Sequence, residues 1–262
     1  MIYAAVCLLA YLVSDGMIFL PPPPTYRDTG QTVSLITADN VRITGLHLPN
    51  ERAEYTILYS HGNAEDLGII ERSLGRFRDW GFAVFAYDYR GYGTSQGKAS
   101  ERGTYRDIDA AYDHLTQVVG VPGDRIIAYG RSVGSGPAVD LAVRRPLAGL
   151  VLESAFVSAF RVLTRVQLLP FDKFRNLDKI GKVSCPVLVM HGIEDDIISI
   201  DHGWRLFKAA PEPKRALWVE GAGHNDFMLV GERARGWSRH HEAATRRRSP
   251  VSKGSGVMPR SA

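Results

Sequence analysis

An α/β architecture, a mostly parallel sheet with helices on both faces, is predicted by three observations. Short β-branched and aromatic runs alternate with amphipathic segments through the middle of the chain. One alternation passes through a tight glycine-flanked serine turn, Gly130-Arg131-Ser132-Val133-Gly134. The pattern opens with two strand-like runs joined by Ala38-Asp39-Asn40, which reads as an antiparallel hairpin. A length of 262 residues accommodates one large domain with a full core.

The elements follow in order. Residues 1–20 are apolar apart from Ser14-Asp15-Gly16 and read as a hydrophobic membrane anchor, spanning or lying in the interface, since roughly 20 apolar residues cross a bilayer; a helix packed on the domain is the alternative. No basic residue precedes the apolar run, which argues against a signal peptide. Basic residues begin only at Arg27, so a spanning segment would leave the catalytic domain cytoplasmic. Residues 21–25 carry Pro21 to Pro24, a stiff spacer. The folded domain is expected over 26–230. Its strands are Val33 to Thr37, Val41 to Leu48, Tyr55 to Ser60, Ala83 to Tyr87, Ile126 to Tyr129, Leu150 to Leu152, Val187 to Met190 and Ala216 to Val219. Helices are expected around 67–80 and 101–119, the second with Tyr105, Ile108, Tyr112, Leu115 and Val119 on its core face. A short lid is placed at about 155–184. Residues 231–262 lack apolar periodicity and read as a basic, disordered tail.

Charge narrows the function classes. The net charge is +4, but residues 233–260 hold eight Lys and Arg against Glu242 alone, and the remainder is mildly acidic. That gives no case for nucleic-acid binding. Two cysteines, Cys7 and Cys185, provide neither a disulfide framework nor a metal spacing. The loop Asp88-Tyr89-Arg90-Gly91-Tyr92-Gly93 lacks the lysine of a phosphate loop and has Gln96 where a third glycine would stand, so it reads as a turn shaping the sheet edge. No metal or cofactor is implied.

The chemistry gathers at the serine turn. A strand-to-helix turn this sharp exposes the Ser132 hydroxyl as a nucleophile, and flanking glycines avoid clashes with the adjoining strand and helix. A serine needs a base, and the base an orienting acid. Among eight histidines, His224 sits in a glycine-rich loop after the last strand and is the expected base. His47, His114, His202, His240 and His241 lie in a hairpin, a helix, a helix start and the tail. The acid should follow a strand between serine and histidine. Asp195 is preferred, with Asp196 and Glu194 as alternatives that only geometry can separate. Two backbone donors should hold the oxyanion: Val133 N–H, and Asn63 N–H in the loop Ser60-His61-Gly62-Asn63-Ala64. His61 is expected to fix that loop.

These motifs, in order, resemble the α/β-hydrolase superfamily, over roughly residues 25 to 228. The run from Phe19 to Tyr26 and the run from Leu217 to Asp226 are most similar to the alpha/beta hydrolase domain-containing protein 17 group and its bacterial relatives. The resemblance implies the α/β-hydrolase fold and a triad of Ser132, Asp195 and His224. It also implies cleavage of an ester or cysteine thioester in an acylated small molecule or lipidated substrate. Two features depart from the group: Cys7 stands alone where relatives have a cysteine cluster, and the amphipathic closing helix breaks down after Phe227-Met228-Leu229-Val230.

Two alternatives remain at this level. The same fold serves aminopeptidases and amidases, which usually carry an extra propeller or a large cap. A non-catalytic membrane-tethered scaffold is the other. In the lid, Phe156, Phe160, Leu163, Val166, Leu168, Leu169 and Phe171 read either as an acyl pocket or as a helix core face. The excess of lysine and arginine there reads as a solvated face or as a surface turned to anionic lipid.

Overall fold

The computed structural model describes residues 2–28, 30, 32–164 and 169–227. The tail, and Val166 and Leu168 of the lid, lie outside them. Among the described residues, eight strands form one sheet in the order β1-β2-β4-β3-β5-β6-β7-β8. The strands are β1 (Thr32–Ile36), β2 (Arg42–Leu48), β3 (Thr56–Ser60), β4 (Ala83–Tyr87), β5 (Ile126–Arg131), β6 (Gly149–Glu153), β7 (Val187–Gly192) and β8 (Lys214–Val219). β1 and β2 form the antiparallel hairpin, and β2 also runs antiparallel to β4. All other pairings are parallel. This is the α/β-hydrolase arrangement.

Both faces of the central strands are buried, which is why they read as continuous apolar runs. Alternate residues feed two cores. Leu58, Phe85, Ala128 and Leu152 face one, with Ile108 and Ala111 of α3 (Glu101–Asp113), Ala138 and Leu141 of α4 (Ser135–Arg144) and Leu206 of α7 (Ile200–Ala209). Ile57, Tyr59, Val84 and Tyr129 face the other, with Leu67, Ile70, Leu74 and Phe77 of α2 (Leu67–Asp79). Each of α2 and α3 starts on a capping side chain: Asp66 accepts the Ile69 N–H and Ser100 the Gly103 N–H.

The expected helix over 101–119 changes form midway. After Asp113 the chain makes a π-helical stretch, His114–Val119, closed by Gly120 at φ +82°. The wider turn rotates the register. Leu115 stays buried, but Val119, placed by 3.6-residue spacing on the core face, is exposed.

The N-terminal segment requires a correction. Residues 1–20, expected to anchor the chain in a membrane with the catalytic domain on the cytoplasmic side, instead contain a 17-residue helix, α1 (Ile2–Ile18), docked on the domain. Among the described residues, no helix is long and apolar enough to cross a membrane. At 1.5 Å per residue α1 falls short of the ~30 Å hydrocarbon core. Asp15, the residue that interrupts the apolar run, has a partner: Lys173 Nζ donates to its carboxylate at 2.6 Å. Phe19 packs edge-on against Tyr92 and Phe174, and Tyr11 against Phe171. Asn63 Nδ2 donates to Ile18 O at 2.7 Å, and Leu20 N donates to Asn63 Oδ1 at 2.9 Å. The proline run then leads to Thr25, whose N–H donates to Asp66 Oδ2 at 2.7 Å. Leu8, Leu9, Leu12 and Met17 on the other side of α1 are exposed.

The lid contains two short helices, α5 (Ala159–Thr164) and α6 (Asn176–Ile180). Phe156 belongs to the core against Phe174, while Phe160 meets Phe171. Several lid cations have intramolecular partners: Lys179 pairs with Asp140 at 2.7 Å and Arg175 with Asp178 at 2.5 Å.

Removing the Asp15 carboxylate would strand the nearly buried Lys173 ammonium. Asp15→Ala is expected to lower stability by about 1–3 kcal/mol. In hydrogen exchange, residues 2–18 should lose protection before the sheet does. Unchanged protection there would mean that the ion pair does not hold α1.

Candidate active site

The sheet order brings the carboxyl ends of β3, β5, β6, β7 and β8 to one edge. Ser60 at the end of β3 pairs with Gly130 of β5, Arg131 with Glu153 at the end of β6, and Gly192 of β7 with Val219 of β8. The loops after these strands therefore emerge side by side. β4 and β5 flank β3 on opposite sides, so the chain reverses its winding there and opens a crevice.

Ser132 occupies the turn between β5 and α4, at φ +52°. A left-handed non-glycine residue costs on the order of 1–3 kcal/mol and persists only when its surroundings impose it. Gly134 backs directly onto β3, where a Cβ would collide with Ser60 O and His61 O. At Gly130 a Cβ would lie 2.5 Å from Gly134 O and 2.7 Å from Ser135 Cα. Ser135 Oγ donates to Ser132 O at 2.7 Å, and Asn176 Nδ2 donates to Ser135 Oγ at 3.1 Å.

His224 lies in the loop after β8 with its imidazole between two oxygens. Its Nδ1 is 2.8 Å from Asp195 Oδ2 and its Nε2 is 3.1 Å from Ser132 Oγ. With the proton on Nδ1, the ring donates to the carboxylate and accepts from the serine hydroxyl. All three side chains are buried.

Geometry separates the three adjacent acids. Asp195 meets the imidazole. Glu194 is exposed and accepts the Gly221 N–H at 3.2 Å, and Asp196 is exposed. The other Asp195 oxygen accepts the Ile197 and Ile198 N–H groups at 3.0 and 2.7 Å. Burial alone would raise its pKa. Hydrogen bonds from His191, His224 and Ile198 N–H outweigh burial and hold the carboxyl well below the usual carboxylate range. His191 was not singled out from sequence. Its Nε2 lies 2.8 Å from Ile198 O and 3.3 Å from Asp195 Oδ2, so it braces the same carboxylate oxygen that meets His224. Its sequence signal is its position immediately after the apolar run 187–190 and four residues before Asp195.

The loop after β3 is braced from several directions. His61 is fully buried, with Nδ1 2.7 Å from Gly62 O and the ring against Tyr89 at 4.3 Å. Tyr89 OH donates to His61 O at 2.7 Å, so the turn 88–93 shapes this edge. The Asn63 side chain is occupied: besides Ile18 and Leu20 it accepts Tyr92 OH at 2.7 Å and Ala64 N–H at 3.0 Å. The oxyanion role expected from sequence falls to its backbone N–H, with Val133 N–H. Other histidines are placed elsewhere: His202 Nδ1 accepts the Val157 N–H at 3.1 Å, and His47 and His114 flank Phe85. His240 and His241 lie outside the described residues.

Residues 51–170 match the family described as Hydrolase_4, "Serine aminopeptidase, S33". The chain is 38% identical over 253 residues to alpha/beta hydrolase domain-containing protein 17B of Xenopus tropicalis, covering 84% of this chain and 87% of that protein. It is 37% identical to the Homo sapiens 17B protein over the same shares of each. Among solved structures, the Pyrococcus furiosus esterase Pf2001 superposes with a TM-score of 0.71 at 17% identity, covering 87% of this chain and 97% of that one. That last likeness is one of fold.

Two outcomes are expected at this site. Asp195→Asn should lower turnover by about 10⁴-fold while Asp196→Asn stays within about twofold, measured as kcat on a p-nitrophenyl ester. Because its pKa is depressed by folding, Asp195 contributes stability that is fully present above the unfolded carboxylate value near about pH 4, and loses it as pH falls through the lower folded value. Urea melts from about pH 7 to about pH 3 should therefore show a shallower acid-side decline for Asp195→Asn than for wild type.

Proposed function

Because this chain belongs to the alpha/beta hydrolase domain-containing protein 17 family of α/β hydrolases, we propose that it is a serine hydrolase cleaving acyl esters or thioesters through an acyl-enzyme. The observation that carries the reading is the continuous hydrogen-bond line from Ser132 Oγ through His224 to Asp195. In this mechanism His224 Nε2 takes the hydroxyl proton as Ser132 attacks the acyl carbonyl. Asp195 fixes the tautomer and stabilises the imidazolium. The Asn63 and Val133 N–H groups receive the oxyanion, each donor contributing about 3 kcal/mol. The imidazolium then protonates the leaving alcohol or thiol, and His224 activates a water that releases the acid. The substrate is an acylated small molecule or a lipidated molecule. No cofactor enters any step.

A second reading, aminopeptidase or amidase chemistry, is favoured by the name of the family matched over residues 51–170. Both use the same nucleophile and differ in leaving group.

Fluorophosphonate labelling tests the proposal. Wild type should label, and Ser132→Ala should lose both labelling and turnover, the latter by on the order of 10⁴-fold or more. Equal labelling of the two would remove Ser132 from the mechanism. Among substrates, faster turnover of p-nitrophenyl esters or acyl thioesters than of aminoacyl anilides supports the first reading, and the reverse order the second.

A further inference from the structure

Arg131 immediately precedes the nucleophile, and its side chain turns back into the protein at a junction of three segments. It is 11% exposed. Nη1 donates to Glu65 Oε1, and Nε to Glu153 Oε1 at 3.2 Å. Nη2 donates to His224 O at 2.9 Å and to Asn225 Oδ1 at 3.1 Å. The second Glu65 oxygen accepts the Gly62 N–H at 2.8 Å. One guanidinium thus touches the backbone of the loop that bears the base. Through a single carboxylate it also touches the backbone of the residue before Asn63.

Packing agrees with this. A Cβ at Gly62 would lie 2.7 Å from Arg131 Nη1 and 2.9 Å from Glu65 Oε2, so the oxyanion loop lies directly on the Arg131–Glu65 pair. The pair closes against a strand end rather than solvent, since Glu153 is buried and also accepts the Tyr129 hydroxyl. A guanidinium is suited to the position because it presents donors in fixed directions within one plane. A lysine ammonium, a point charge on a flexible stem, cannot reach all four acceptors at once.

We propose that Arg131 is a positioning residue for acyl transfer: with Glu65 it couples the Gly62–Asn63 loop to the His224 loop, and so sets the distance between oxyanion donors and base. The proposal rests on the reading of Ser132, His224 and Asp195 as an acyl-transfer site. Arg131 touches no reacting atom. Its effect arises because a displacement of about 1 Å in such a constellation costs on the order of 10²-fold in rate.

The test uses the full chain and the variants Arg131→Lys and Glu65→Gln. Active sites are counted by fluorophosphonate labelling run to completion, so that kcat refers to folded, competent protein. The substrates are a short-chain p-nitrophenyl ester and its thionoester, in which sulfur replaces the carbonyl oxygen. Arg131→Lys should lower kcat per labelled site by about 10- to 100-fold with KM within about twofold. The ratio of ester to thionoester rates should narrow, because a displaced oxyanion site discriminates less between oxygen and sulfur. Glu65→Gln should act in the same direction, and the double variant should fall no further than Arg131→Lys alone, since both act through one bridge. Wild-type kcat per site and a wild-type oxygen-to-sulfur ratio in both single variants, with only a lower melting temperature, would overturn the proposal and leave Arg131 a structural residue. Absence of labelling in wild type would overturn the acyl-transfer reading itself, a distinct result.

Discussion

The contact between the serine turn and the end of β3 is the constraint on which the rest of the site depends. Gly134 lies against the carbonyls of Ser60 and His61 with no room for a side chain. This closeness holds Ser132 at positive φ and sets its hydroxyl beside the loop that carries Asn63. It follows from parallel pairing of β3 with β5, which aligns Ser60 with Gly130. The strain of one left-handed residue, on the order of 1–3 kcal/mol, is small beside the burial of the central strands that imposes it.

Around this turn the polar groups are arranged so that few parts can move independently. Asp195 is held by two backbone N–H groups on one oxygen and approached by two imidazoles on the other. A carboxylate so surrounded keeps its charge while buried, which is what an imidazolium partner requires. On the opposite side, Asn63 is fixed by the C-terminal end of α1 and by Tyr92. The N-terminal helix is therefore part of the wall around the loop that carries Asn63.

That placement explains why hydropathy misjudged the segment. An apolar run of this length with a single acid fits a membrane helix and a docked helix equally well. The deciding contacts come from residues far along the chain: Lys173, 158 positions from Asp15, and Asn63, 45 positions from Ile18. Nothing near Asp15 in sequence announces its partner. The π-helical stretch at 114–119 was hidden for a similar reason, since its residues are spaced as in an ordinary amphipathic helix.

The sequence by itself determined the strands, the hairpin, the glycine-flanked turn and the order serine, acid, histidine. These depend on local periodicity and on which residues tolerate a tight turn, and such preferences act within a few positions. The tertiary structure alone decided which of three adjacent acids faces His224, where α1 rests, that His191 braces Asp195, and that Arg131 reaches the histidine loop 93 residues away. Those outcomes depend on distances across the sheet edge. There, hydrogen bonds are fixed by strand order and register, and a single residue type at a single position carries no record of its partner.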